Sequence, residues 1–108
     1  MVEAEQKAIR LRHYTRVSSK DRILAEGRIL ARDQHKVFVE RADRQPLSRR
    51  QAEVKYVLKR GKGNAYVEFD AFPEEVHEQI NRLTGATELF LLGDVDLSTR
   101  NLQGFDNR

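Results

Sequence analysis

Ile9-Arg10-Leu11-Arg12-His13-Tyr14-Thr15 alternates apolar and polar side chains with the period of a half-buried strand, not of a helix. Seven residues on, Ile23-Leu24-Ala25-Glu26 followed by Gly27 reads as the end of a helix stopped by a glycine at C′. Ser18 or Ser19 is the expected cap of that helix, with Asp21 reinforcing its first turn. The arrangement brings a His-Tyr-Thr strand end beside a helix N-terminus. Such an end offers ring nitrogens, a hydroxyl and backbone donors, suited to a sugar hydroxyl and a flat, amide-bearing ring.

Working outward, Lys36-Val37-Phe38-Val39-Glu40 has the β-branched and aromatic content of a short inner strand. Ser48 with Gln51 forms a capping box that predicts a helix to about Lys59, and Gly61 and Gly63 then break the chain. Asn64 to Asp70 reads as a strand. Pro73, followed by Glu74 and Glu75 at the positive dipole end, predicts a helix through Leu83 that stops near Gly85. Thr87-Glu88-Leu89-Phe90-Leu91-Leu92 is the most apolar strand, and the polar residues 96–108 read as a loosely packed tail. No Gly-x-Gly-x-x-Gly or Gly-x-x-x-x-Gly-Lys loop follows any strand, so nucleotide sites of those two kinds are not expected. The fold class expected is α+β, with a small, mostly antiparallel or mixed sheet in a single domain, 1–108.

The 108 residues suffice for one core, which 39% hydrophobic residues must build economically against 34% charged ones. A formal net charge of +3 is too weak for a dedicated nucleic-acid arm, so such a partner is disfavoured. The absence of cysteine removes disulfides, thiolate metal sites and a cysteine nucleophile together. His35 and His77 have no ligand-like spacing to carboxylates, and no metal site is expected. The opening residues lack the apolar core of a leader, and no stretch approaches the ~18 apolar residues of a membrane span, so no membrane role is expected.

The pattern His13-Tyr14-Thr15, with Ile23 and Gly27-Arg28-Ile29 at this spacing, resembles the first motif of ADP-ribosyltransferases of the diphtheria-toxin and poly-ADP-ribose-polymerase branch. It is also similar to bacterial polymorphic-toxin tips, which pass through a strand like Val37-Phe38-Val39 and a Leu-Ser helix like Leu47-Ser48 to a Thr-Glu strand like Thr87-Glu88. The resemblance covers roughly residues 9–95. It implies a compact split-sheet core with short helices, NAD as the ADP-ribose donor, and transfer to a macromolecule.

Carried over by that resemblance, His13 would hydrogen-bond the ribose next to nicotinamide and Thr15 would steady the strand end, while Tyr14 packs on the cofactor. Phe38 stands where the family's second motif places a stacking Tyr, keeping the aromatic face and losing the hydroxyl. Arg12 and Arg16 flank the motif as candidates for the phosphates. Glu88 matches the catalytic carboxylate at the head of a late strand, where a fixed negative charge stabilises the cationic, oxocarbenium-like sugar as the glycosidic bond breaks. Glu68, on Tyr66-Val67-Glu68-Phe69, is its rival.

The resemblance further implies a bacterial effector domain delivered to a target-cell cytoplasm, a translation-machinery target such as elongation factor Tu, and a cognate, commonly acidic immunity protein. Two other functions fit the residues. One is a small metal-independent ribonuclease toxin, with His13 or His35 as acid or base beside Glu68. The other is a non-catalytic module binding a protein through its arginine-rich middle third, in which Arg41, Arg44, Arg49, Arg50, Lys55, Lys59, Arg60 and Lys62 gather.

Overall fold

The computed structural model describes residues 7–31 and 33–107; residues 1–6, read above as lacking an apolar leader core, lie outside them. No described helix is long and apolar enough to cross a membrane. The strands β1 (Ile9–Thr15), β3 (Lys36–Arg41), β4 (Ala65–Ala71), β5 (His77–Ile80), β6 (Thr87–Leu92) and β8 (Gln103–Asp106) form one sheet in the order β5-β6-β3-β1-β4-β8. Every pairing is antiparallel. β2 (Arg28–Ile29) and β7 (Val95–Asp96) make a separate two-stranded ribbon. With helices α1 (Val17–Glu26) and α2 (Arg49–Lys55), the architecture is α+β, as the composition and patterning led us to expect.

The alternation in β4 builds the core. Ala65, Val67, Phe69 and Ala71 are buried on one face, while Tyr66, Glu68 and Asp70 stand half-buried on the other. Leu11 faces Phe69 across β1 and β4, and Val37 and Val39 face Leu91 and Leu89 across β3 and β6. Ile23 of α1, Ile29, Val95 and Leu97 close this apolar layer. The opposite face carries Arg12, Tyr14, Phe38, Glu40, Tyr66 and Glu68, and it is polar and aromatic.

Local chemistry fixed some boundaries and tertiary pairing overrode others. α1 begins at Val17, with Arg16 as its uncapped N-cap, so neither Ser18 nor Ser19 caps it. It ends at Gly27, whose φ of 70° is the left-handed turn that glycine adopts without a Cβ penalty. The capping box of Ser48 and Gln51 is present, but α2 stops at Lys55 because Val57 takes a φ of 53°, which closes the route to Lys59.

The helix expected from Pro73 to Leu83 does not form. Pro73–Glu75 makes a single 3-10 turn, and His77–Ile80 then pairs with β6. Arg100 grips both carboxylate oxygens of Glu75, at 2.8 and 2.7 Å, and the Phe72 amide donates to the same group. Those bonds hold the Glu75 carboxyl down at about 2. The C-terminal segment is not a loose tail: Leu97 is buried, β8 pairs with β4, and Asn107 donates to the carbonyls of Leu47 and Gly63.

At Gly63 a Cβ would overlap the backbone carbonyl of Arg49, which cannot move without unseating α2. Gly63→Ala should therefore destabilise the fold by about 2–3 kcal/mol, read as a lowered urea midpoint at unchanged slope. An unchanged midpoint would show that α2 is not packed against this turn.

Candidate active site

β1 and β4 stay paired over seven positions, from Ile9↔Ala71 to Thr15↔Ala65. By contrast, β1 and β3 pair only at Leu11↔Arg41 and Arg12↔Glu40. Beyond Arg12 the two strands part: His13, Tyr14 and Thr15 stay with β4, while Lys36 to Val39 stay with β6. The sheet is split there, and a cleft of about 630 Å³ opens into the gap. Its volume falls within the ~300–1,000 Å³ of small-molecule sites.

The split decides which side chains meet. Period two sends His13 to the face of Leu11 and Val67, and Glu88 to the face of Phe38 and Phe90. In an unbroken sheet the two would be separated by the backbone. Here both line the same cleft, together with Arg12, Tyr14, Thr15 and Phe38.

His13 spans the fork. Its Nδ1 donates to the Phe38 carbonyl at 2.7 Å, and because a carbonyl only accepts, the ring proton is placed on Nδ1. Nε2 is then left as an acceptor, with no hydrogen-bond partner among the described residues. Desolvation pushes the imidazole below its ordinary 6.5, against the opposing pull of the Phe38 carbonyl, and Lys62 adds to the depression.

Arg12 is placed differently from the phosphate-binding role inferred above. Its side chain is 2% exposed, and its three nitrogens go to Glu68, to Glu40 and to the Arg44 carbonyl at 3.0, 2.6 and 2.8 Å. Burial alone would lower its pKa, but the bonds from Glu40 and Glu68 outweigh that and raise it, so the cation is permanent. Tyr14 is likewise committed: its hydroxyl donates to Glu40 at 2.8 Å and accepts from the Leu47 amide. Its ring packs between those of Tyr56 and Tyr66, with centroids 6.0 and 5.9 Å away. Thr15 pairs with Ala65, and Phe38 packs against Phe90.

The carboxylates differ in how many donors they already hold. Glu40 accepts from Arg12, Tyr14 and, by a short bond, Tyr56. Glu68 is held by Arg12 and does not line the cleft. Glu88 accepts one hydrogen bond, from Gln79 Nε2 at 3.2 Å, and Gln79 Oε1 is itself fixed by Lys36 at 2.6 Å. Of the two carboxylates weighed from sequence, Glu88 is the one facing the cavity. Cationic side chains ring the same space, including Arg16, Arg22, Lys36, Lys59 and Lys62.

Sequence reasoning missed Tyr56, Glu40 and Gln79. Glu40 follows Val39 in the strand alternation and so carried a signal. Tyr56 lies one residue past α2, and Gln79 lies in a segment read as helix, so neither had one.

A depressed imidazole means that the unfolded chain binds this proton more readily than the native one. Stability should therefore rise with pH up to 6.5 and level off above it, and His13→Gln should flatten that slope. Urea midpoints at acid and neutral pH measure it; an equal slope in the variant would show that another group is responsible.

Comparison with curated proteins and with solved structures gives no match. A family model described as HYD1 signature containing ADP-ribosyltransferase matches residues 11–101, the stretch that runs from the middle of β1 past β7 and includes the whole cleft. With most of its length matched, and a split sheet around a nucleotide-sized cleft, the chain belongs to this family of ADP-ribosyltransferase toxin domains.

Proposed function

We propose that the chain transfers single ADP-ribose units from NAD to a macromolecule, with His13 and Glu88 as the groups that bind and activate the donor. The observation that carries this reading is the shared cleft, which is lined by both an imidazole with an unengaged Nε2 and a carboxylate that accepts from Gln79 among the described residues. NAD supplies an ADP-ribosyl group already joined to a good leaving group, nicotinamide.

His13 Nε2 accepts a hydrogen bond from a hydroxyl of the nicotinamide ribose. It can do so because the imidazole is neutral near physiological pH and its proton is committed to Phe38. Glu88 faces the anomeric carbon and stabilises the positive charge that grows as the glycosidic bond breaks, then orients the incoming acceptor. Phe38, seated over Phe90, gives an apolar surface for the nicotinamide ring. With the Arg12 guanidinium already engaged, the pyrophosphate falls to other cations lining the cleft, the exposed Arg16, Arg22 and Lys59 and the half-buried Lys62.

The motifs quoted from the sequence extend the proposal to an effector delivered into another cell, held in check by an immunity protein. The resemblance to polymorphic-toxin tips implies translation as its target, with elongation factor Tu as the first acceptor to assay.

NAD turnover by the wild type and by Glu88→Gln tests the assignment. Losing the charge at nearly constant volume should lower kcat by about 100-fold or more with KM little changed. Equal turnover removes Glu88. If Glu68→Gln alone abolishes turnover while melting normally, the role passes to Glu68. RNA cleavage without NAD would replace the reading with a ribonuclease. Gln79→Ala, which frees the Glu88 carboxylate, should lower kcat by about tenfold, the effect of one charge-assisted hydrogen bond of ~1.4 kcal/mol.

A further inference from the structure

Residues 44–62 hold seven of the chain's twenty basic side chains and one of its seventeen acidic ones, so the rest of the protein is net acidic. The lone carboxylate there, Glu53, is half-buried and accepts from the amides of Gly61 and Gly63 at 3.0 and 3.1 Å, and one negative charge leaves most of the basic excess in place. Arg49, Arg50, Lys55 and Arg60 form no salt bridge among the described residues. None of the four lines the cleft, so the donor nucleotide does not account for them.

The same surface is apolar at its centre. Ala52 turns into the protein, and on the outward side of α2 Arg50 and Val54 lie one turn apart. Val54 is 71% exposed and Val57, just past the helix, is 59% exposed. Exposed aliphatic side chains interspersed with cations that hold no salt bridge among the described residues match the anatomy of a protein interface, an apolar centre with a charged rim. A nucleic-acid surface would instead present exposed aromatic rings for bases to stack on. The ring nearby, Tyr56, is half-buried with its hydroxyl held by Glu40.

We infer that the outer face of α2 and the segment to Lys62 is a docking surface for an acidic protein, with Val54 and Val57 at its centre. Val57, Leu58, Lys59 and Lys62 also line the cleft, so an occupant of this surface stands over the cavity mouth. The inference is independent of the donor reading, since it needs neither NAD nor turnover to be tested.

The test is fluorescence anisotropy of the labelled protein with three probes: a glutamate–tyrosine copolymer, polyglutamate, and a single-stranded RNA of matching charge. The wild type should bind the copolymer at least tenfold more tightly than the RNA. Arg50→Ala with Arg60→Ala should weaken copolymer binding by roughly tenfold. Val54→Asn should abolish the copolymer's advantage over polyglutamate. These positions are exposed, and Arg50→Ala favours the helix, so melting should be unchanged. RNA binding as tight as the copolymer's, or copolymer binding unchanged in either variant, overturns the proposal.

Discussion

The Arg12 guanidinium, buried between β3 and β4, is the constraint on which the rest of the molecule depends. A cation so shielded from water is tolerable only when its donors are matched, and Glu40, Glu68 and the Arg44 carbonyl match them. Arg12↔Glu40 is also the last rung of the β1–β3 ladder. The clamp therefore sits at the fork of the split, where it joins the strands on one side and lets them part on the other. Glu40 passes the constraint on through the hydroxyls of Tyr14 and Tyr56, so the cleft wall beyond α2 is anchored to the same ion pair.

Much of the architecture was legible in the sequence because it is written in local chemistry. β1 is legible by its alternation, β3 by its β-branched and aromatic content, β4 by strand-like residues after the Gly61 and Gly63 break and β6 by its apolar run, and Gly27 and the Ser48–Gln51 box mark helix ends that the structure keeps. The failures share one cause. Pro73 and two glutamates make a good helix start for the residues up to Leu83, yet β6 offers an edge whose hydrogen bonds to residues 77–80 outweigh that propensity. The polar composition of the C-terminal segment predicts a loose tail, whereas its order comes from backbone pairing with β4 and from the Asn107 amide.

The site was legible in residue type but not in geometry. The His-Tyr-Thr end of β1 and Glu88 at the head of β6 could be named, and these four residues line the cleft. That the Arg12 guanidinium is engaged by Glu40, Glu68 and the Arg44 carbonyl could not be read, because alternation gives the face of a side chain and says nothing of what waits there. A long-range ion pair to Glu40 and Glu68 is invisible until the strands are paired. The same holds for Gln79, which reaches Glu88 only because β5 lies beside β6.

The strand order carries a kinetic consequence. β1 precedes every other strand described, yet its neighbours in the sheet, β3 and β4, are separated from it by long stretches of chain, and β8, the last of the described strands, closes the edge beside β4. Few of these ladders are local, which places the domain among slow folders whose rate is governed by loop closure rather than by helix formation. During synthesis the nascent chain can complete its sheet only after residue 106 has left the ribosome, and until then the last edge of the molecule stays unzipped.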